Sequence, residues 1–407
     1  MFADAAILLV GDEILQGVVM DANIPSISHE LARRGLRTAA AAVAPDEAGS
    51  IARSLASLRS PGRLIVVSGG LGPTEDDLTP GSIAEALGLE YVENRAALRM
   101  IEEKYAGRES GCPASALRQA RMPYGARPVG NPAGIAPGMV LDIPGTRECI
   151  VMLPGVPREV EALISPCLDE AGASGDGPSE SRCLRVWGIP ENALMDIIES
   201  EGLACGAALS YLPKYGQVEL VFKGPAAPAA FDAVRSRLAG SVFSETRGEP
   251  IELVLGRALA RSGTMLATAE SCTGGMLGGR ITSVPGSSEW FAGGVVCYSN
   301  DMKIRVLGVR PSTIDAFGAV SAETASEMAA GVMALSGASA ALAVTGVAGP
   351  GGGTESRPVG TVWIAAVTGG AEQVREFRLG GTRAVIRESA ATRAMGMLLG
   401  MLGGPSG

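Results

Sequence analysis

One histidine, His29, is all that the 407 residues contain. Any hydrolytic chemistry in this chain must therefore proceed without the usual imidazole base. His29 falls inside a helical apolar pattern and reads as a surface or satisfied helix residue, not a ligand. Cysteines number seven, scattered, odd in count and with no CxxC pair, which excludes a disulfide framework and a zinc site and points to reduced thiols. Basic residues are in deficit: the formal net charge of −9 argues against a general nucleic-acid binder, whose affinity depends on Lys and Arg neutralising phosphates. A nucleotide pocket stays open, because backbone amides suffice for one. No run approaches the roughly 20 apolar residues of a membrane span. The start, MFADAAILLVG, lacks the basic residues and apolar length of a signal peptide, so a cytoplasmic protein with no membrane partner is expected. Aromatics are scarce at 4%, whereas glycines number 56.

What is present is an alternation of short apolar runs with helical patterns, which points to α/β architecture. The length is too great for one ordinary core and predicts two or three domains. Residues 5–10 (AAILLV), 38–44 (TAAAAVA) and 63–70 (RLIVVSGG) read as buried strands, separated by helices over 23–35 and 46–60. The order predicts a parallel sheet with the site at the carboxyl ends of its strands. Residues 171–181 (AGASGDGPSES) read as the clearest linker. Beyond it, CLRVWGI, NALMDIIES, VELVFKG and FDAVRSRLAG suggest a small α+β module near 182–247. A further domain opens on the amphipathic helix ELVLGRALARSG, residues 252–263, and the last residues, GGPSG, should fray.

Two blocks in that last domain carry chemistry. TAESCTGG, residues 268–275, and AVTGVAGPGGGT, residues 343–354, are each a strand running into a glycine-rich loop, where exposed amides can hold an anion. GPGGGT lacks the Gly-Lys-Ser/Thr ending of a P-loop, which argues against an ATPase. Without histidine, a serine nucleophile needs another base. A lysine amine serves if burial lowers its pKa, since the ordinary value near ~10.4 leaves too little neutral amine. Ser288 follows the Pro285-Gly286 turn, and Tyr298, Asn300 and Lys303 follow the strand GGVVCY. The favoured trio is Ser288 as nucleophile, Lys303 as base and Tyr298 as helper, with Ser271 as the alternative nucleophile. Cys272 reads as an inert buried thiol.

These pieces, with PGSSEWFAGGVVCYSNDMK and GAVSAET, closely resemble the CinA C-terminal domain family over the whole domain. The resemblance implies a nicotinamide mononucleotide (NMN) amidohydrolase needing no cofactor. It supports the Ser-Tyr-Lys trio, attack on the NMN carboxamide and release of ammonia and nicotinate mononucleotide. Backbone amides of Thr273, Gly274 and Gly275, and of the loop carrying Thr345, Gly346, Gly349, Gly351 and Gly352, would hold phosphate and oxyanion. Arg383 would add a charged phosphate contact.

Upstream, VSGGLGPTEDDLT, residues 67–79, puts a glycine loop and acids just after a strand. GGLG lacks the third glycine of a dinucleotide loop, so an NAD site is not supported. With VGDEILQGVVMDAN, GNPAGIAPG and MLPGVPREVEAL, this stretch resembles the molybdopterin-binding-like domain of CinA proteins. That implies a metal-dependent ADP-ribose pyrophosphatase. Gly69, Gly70, Gly72 and Thr74 would grip the pyrophosphate, and Asp76, Asp77 and Glu13 would hold Mg²⁺ or Co²⁺. The acids equally fit a plain helix-capping role. The expectation is an α/β protein in three parts: a parallel-sheet molybdopterin-binding-like domain over 1–170, a small α+β module over 182–247 and a CinA domain over 251–407. A homodimer acting on NMN and ADP-ribose, with no nucleic acid partner, is expected. The rival readings are a binding-only N-terminal module and, from the family name, an interaction protein of competence or damage responses.

Overall fold

A computed structural model describes residues 2–106, 111–175 and 181–403. Residues 176–180 of the 171–181 linker and the last four residues lie outside the described residues. The chain divides into two compact units, Met1–Ser179 and Glu180–Gly407.

The first unit is built on a six-stranded sheet in the order Thr38–Ala44, Asp4–Val10, Arg63–Ser68, Cys149–Leu153, Gly138–Asp142, Arg127–Val129. The first four are parallel, as the βα alternation predicts. The last two run antiparallel, so the sheet is mixed where a parallel one was expected. The reason is local: residues 130–137 connect Arg127–Val129 to Gly138–Asp142 without a crossover helix, and such a return can only be antiparallel. Asp4–Val10 and Arg63–Ser68 are central and buried on both faces, which is why they read as continuous apolar runs. Helices Asn23–Arg33 and Pro157–Glu170 cover one face, and Ala48–Leu58 and Arg95–Tyr105 lie against the other. His29 is exposed on Asn23–Arg33.

The second unit holds two sheets. Ala208–Lys214, Gln217–Lys223, Arg182–Trp187 and Val242–Ser244 form an antiparallel sheet backed by helices Glu191–Ser200 and Ala227–Arg237. The second sheet runs in the order Phe291–Val296, Leu266–Glu270, Ala340–Gly346, Thr361–Thr368, Ala371–Arg378, with the first three parallel. Phe243 of the small sheet lies in the core of the larger one. The last helix, Arg383–Met401, ties the two together. A Cβ on its Gly396 would stand 2.3 Å from Trp187, so only glycine admits the indole there. Arg393 donates to the Gly188 carbonyl at 2.9 Å. No helix among the described residues is long and apolar enough to cross a membrane.

Candidate active site

Leu266–Glu270 is the middle one of the three parallel strands, with one neighbour reached before it and one after it in the sheet order. Such a switch point opens a crevice at the strands' carboxyl ends. Three segments converge there: Ser271 and Cys272 leave Leu266–Glu270, Cys297 and Tyr298 leave Phe291–Val296, and Thr345 and Gly346 end Ala340–Gly346. They line a cleft of about 180 Å³ together with Asn300, Lys303, Ala319, Val320, Ala348 and Arg383.

Lys303 lies in the first turn of helix Asn300–Leu307, capped by Ser299, whose hydroxyl accepts from the Met302 N–H at 3.2 Å. Its side chain is buried, at 1% exposure. The amine meets three oxygens: Ser271 Oγ at 2.9 Å, the Cys297 carbonyl at 2.9 Å and the Tyr298 carbonyl at 3.4 Å. Burial pushes its pKa below the ordinary lysine value, with the Cys297 and Cys272 thiols opposing weakly. Three oxygens match the three donors of an ammonium, which would donate to Ser271 Oγ as well. Burial lowers the pKa toward the uncharged form, which keeps two donors for the carbonyls and a lone pair to accept from the Ser271 hydroxyl.

Ser288 does not meet this amine. It is exposed, in the single 3₁₀ turn Ser287–Glu289 after Gly286, and is not among the residues lining the cleft. The structure brings Ser271, the alternative serine, and not Ser288, to Lys303. Sequence proximity to Lys303 misled, because the parallel sheet brings the end of an earlier strand closer than the preceding turn. Tyr298 lines the same cleft: its phenol accepts from Arg383 Nη2 at 2.9 Å, and its backbone carbonyl, at 3.4 Å, meets the amine.

The amides of the Ser271 loop can be accounted for one by one. Ser271 N–H donates to the Val344 carbonyl, Gly274 to Ser271 and Met276 to Thr273. The Glu270 carboxylate accepts from Gly275 and Leu277 at 3.0 Å and from Gly278 at 2.7 Å. Between Ser271 and Gly279, among the described residues, the N–H groups of Cys272 and Thr273 meet no backbone or carboxylate acceptor; Cys272 lines the cleft, whereas Thr273 is fully buried and does not. Gly274 and Gly275 were expected to offer amides to an anion; both are already spent, although their φ of +60° and +90° does show why glycine stands there. In the second glycine loop, Gly346 lines the cleft, Thr345 donates its hydroxyl to the Ala319 carbonyl at 2.6 Å, and Gly349 presents its carbonyl, not its amide, to Arg383 at 2.7 Å. Gly351 and Gly352 are exposed and do not line the cleft. Burial pushes the Cys272 thiol up to about 12, which makes it inert.

The first unit's glycine loop is spent in the same way. Gly69 N–H donates to the Leu153 carbonyl at 3.0 Å. Asp77 accepts from the N–H of Gly72 at 2.7 Å, from that of Thr74 at 2.8 Å and from the Thr74 hydroxyl. Gly70 is fixed by space: its φ is +67°, and a Cβ there would stand 2.2 Å from the Thr79 hydroxyl. Asp77 is therefore a clasp within its own loop. Asp76 and Glu13 are exposed; burial, then the charges of Asp12, Glu13 and Asp76, raise the nearby Asp46 carboxyl above its ordinary value. Among the described residues no three carboxylate, thiol or imidazole groups stand together as a metal cluster. The structure does not gather Asp76, Asp77 and Glu13 into one ligand set.

Residues 248–402 match the CinA C-terminal domain, and residues 6–170 match the family described as "Probable molybdopterin binding domain". A CinA-like protein of Citrifermentans bemidjiense is 39% identical over 404 residues, covering 97% of this chain and 96% of its own. This chain belongs to the CinA-like family. A CinA-like protein of Mycobacterium tuberculosis is 37% identical over 433 residues, spanning 100% of this chain and 99% of its own. A crystal structure of the competence/damage inducible protein CihA from Agrobacterium tumefaciens is 40% identical, covers 39% of this chain and 99% of that one, and has a TM-score of 0.36.

Two residues of this CinA-like site escaped the sequence reading. Glu270 sits at the end of a buried strand, one residue before Ser271; an acid just ahead of a glycine turn and a helix is a capping signal. Arg387, four residues after Arg383 and so on the same helix face, donates twice to the Thr273 carbonyl, at 3.2 and 2.6 Å.

Proposed function

We propose that the second unit is an amidohydrolase acting on the carboxamide of NMN, with Ser271 as nucleophile and Lys303 as base. The observation that carries this reading is the buried Lys303 amine, 2.9 Å from Ser271 Oγ in the cleft. Ser271 Oγ attacks the carboxamide carbon while its proton passes to Lys303. The oxyanion that forms is met by the Cys272 amide, next to Ser271 in the cleft lining. As the C–N bond breaks, Lys303 returns the proton to the leaving nitrogen, and ammonia departs. Water then attacks the acyl-enzyme, Lys303 takes its proton, and Ser271 is restored as nicotinate mononucleotide leaves. Arg383 keeps guanidinium donors toward the cleft and would hold the phosphate. The test is to incubate the purified protein with NMN and measure ammonia and nicotinate mononucleotide. Absence of both rejects the reading.

For the first unit we propose a nucleotide- or pterin-binding module. Asp77, committed to its own loop, favours binding over metal-assisted pyrophosphate cleavage. Equilibrium binding of ADP-ribose without AMP, across Mg²⁺, Mn²⁺ and Co²⁺, is the expected result. Metal-dependent AMP formation would overturn it in favour of an ADP-ribose pyrophosphatase.

A further inference from the structure

We infer that Glu270 is a positioning residue of the Ser271 site, holding the turn that sets Ser271 Oγ and the Cys272 amide toward the reacting carbonyl. The inference rests on the amidohydrolase reading for its substrate but not for its geometry.

The Glu270 side chain is buried, at 2% exposure, and no ion pair joins it among the described residues. Its partners are three backbone amides at the start of helix Met276–Thr282, of Gly275, Leu277 and Gly278. Those amides have no acceptor one turn back within their own helix, so without the carboxylate they would be orphaned. The peptide unit that joins Glu270 to Ser271 is fixed on both sides. Its carbonyl accepts from the Cys297 N–H at 2.8 Å, and the next residue's N–H donates to Val344 at 2.9 Å. Glu270 thus clamps the far end of the Ser271–Gly275 turn to the strand from which it leaves. Arg387 pulls the Thr273 carbonyl from the other side. The Ser271 carbonyl accepts from the Gly274 N–H, which fixes the peptide unit whose N–H belongs to Cys272. The clamps together hold Ser271 Oγ and the Cys272 amide at the cleft.

The chemistry asks for a carboxylate. Three donors converge on two acceptor oxygens, and both are used. A glutamine of the same shape has one acceptor oxygen, and its NH₂ would face an amide, donor against donor. The turn would shift, and with it Ser271 Oγ and the Cys272 amide, while the substrate-binding groups on the other two strands stay where they are.

A fluorophosphonate probe reads this directly. Ser271 Oγ forms a bond to phosphorus, the P–F bond breaks, fluoride leaves and the serine proton passes to Lys303; the phosphoryl oxygen sits where an oxyanion would. In the full-length protein, Glu270→Gln should slow Ser271 labelling about 100-fold, the loss expected when oxyanion donors are misaligned. It should also lower kcat on NMN by a similar factor and leave KM within about twofold. A purely structural role would instead lower the melting temperature and the fraction of active sites, with kcat per labelled site unchanged. Should Glu270→Gln fail to fold, Gly278→Ala is the milder probe: its Cβ would stand 3.3 Å from Glu270 Oε1 and displace the carboxylate. It should slow labelling several-fold with KM unmoved. Labelling of either folded variant at the wild-type rate overturns the inference. Wild-type protein that labels at Ser271 but releases no ammonia from NMN sinks the amidohydrolase reading and leaves the inference standing. Wild-type protein that does not label at Ser271 overturns both.

Discussion

The Gly69–Thr79 loop of the first unit and the Ser271–Gly275 loop of the second are built alike, yet only one carries a reactive group. Each follows the carboxyl end of a buried parallel strand, uses glycines at positive φ and closes on a carboxylate that collects loop amides. In the first unit that carboxylate is Asp77, half-buried inside the loop it closes. In the second it is Glu270, fully buried on the strand, and the loop it holds lies against a buried amine. A glycine loop after a strand is thus a frame. What turns a frame into a site is a titratable group taken out of water next to a nucleophile.

That contrast can be broken at several points. The largest effect is expected from Lys303→Met and Ser271→Ala, each of which should lower ammonia formation from NMN by about 10³-fold or more, in the range general-base and nucleophile losses give. Ser288→Ala should stay within about twofold of wild type, the size of effect usual for a surface substitution; a large loss there would restore the serine that sequence proximity favoured. The second effect is on pH dependence. Only the neutral Lys303 accepts the Ser271 proton, so kcat should rise with pH, with a midpoint below the ordinary lysine value. Stability runs in the same direction. The folded state depresses this pKa, so the unfolded chain binds more protons between the two values, and stability increases with pH across that window. Lys303→Met should remove that increment, and an unchanged slope in urea melts at a series of pH values would contradict it.

Asp77→Asn comes third. It should destabilise the first unit by about 1–3 kcal/mol through lost charged acceptors, read by thermal melting, with ammonia formation unchanged. The smallest effect concerns thiols. Cys205 is exposed and should alkylate readily, whereas Cys149, Cys167, Cys183 and Cys272, each pushed up to about 12 by burial, should resist until the protein unfolds. Peptide mapping after iodoacetamide treatment decides it.

Much of the fold was legible. Thr38–Ala44 matches its sequence reading residue for residue, and helix Ile251–Ser262 ends on Gly263 at φ +62°, as its glycine stop suggests. Apolar runs and glycine stops are local signals, and both elements depend on local signals. Strand Ala208–Lys214 gave no such signal, being largely exposed on a sheet edge. The site was half legible. Lys303 was named because a histidine-poor chain needs another base. Its partner was misassigned, because Ser288 is nearer in sequence while Ser271 is nearer through the sheet.

The residues alone determined that there is no imidazole base at the candidate site, that strands would run into glycine loops, and that a lysine would have to be buried to serve; composition and periodicity are properties of the chain itself. Which serine meets that lysine, which amides remain unspent and which acids clasp their own loops were decided only by tertiary structure. Hydrogen bonds and burial join residues 32 apart, such as Ser271 and Lys303, and no local pattern encodes a distance across strands.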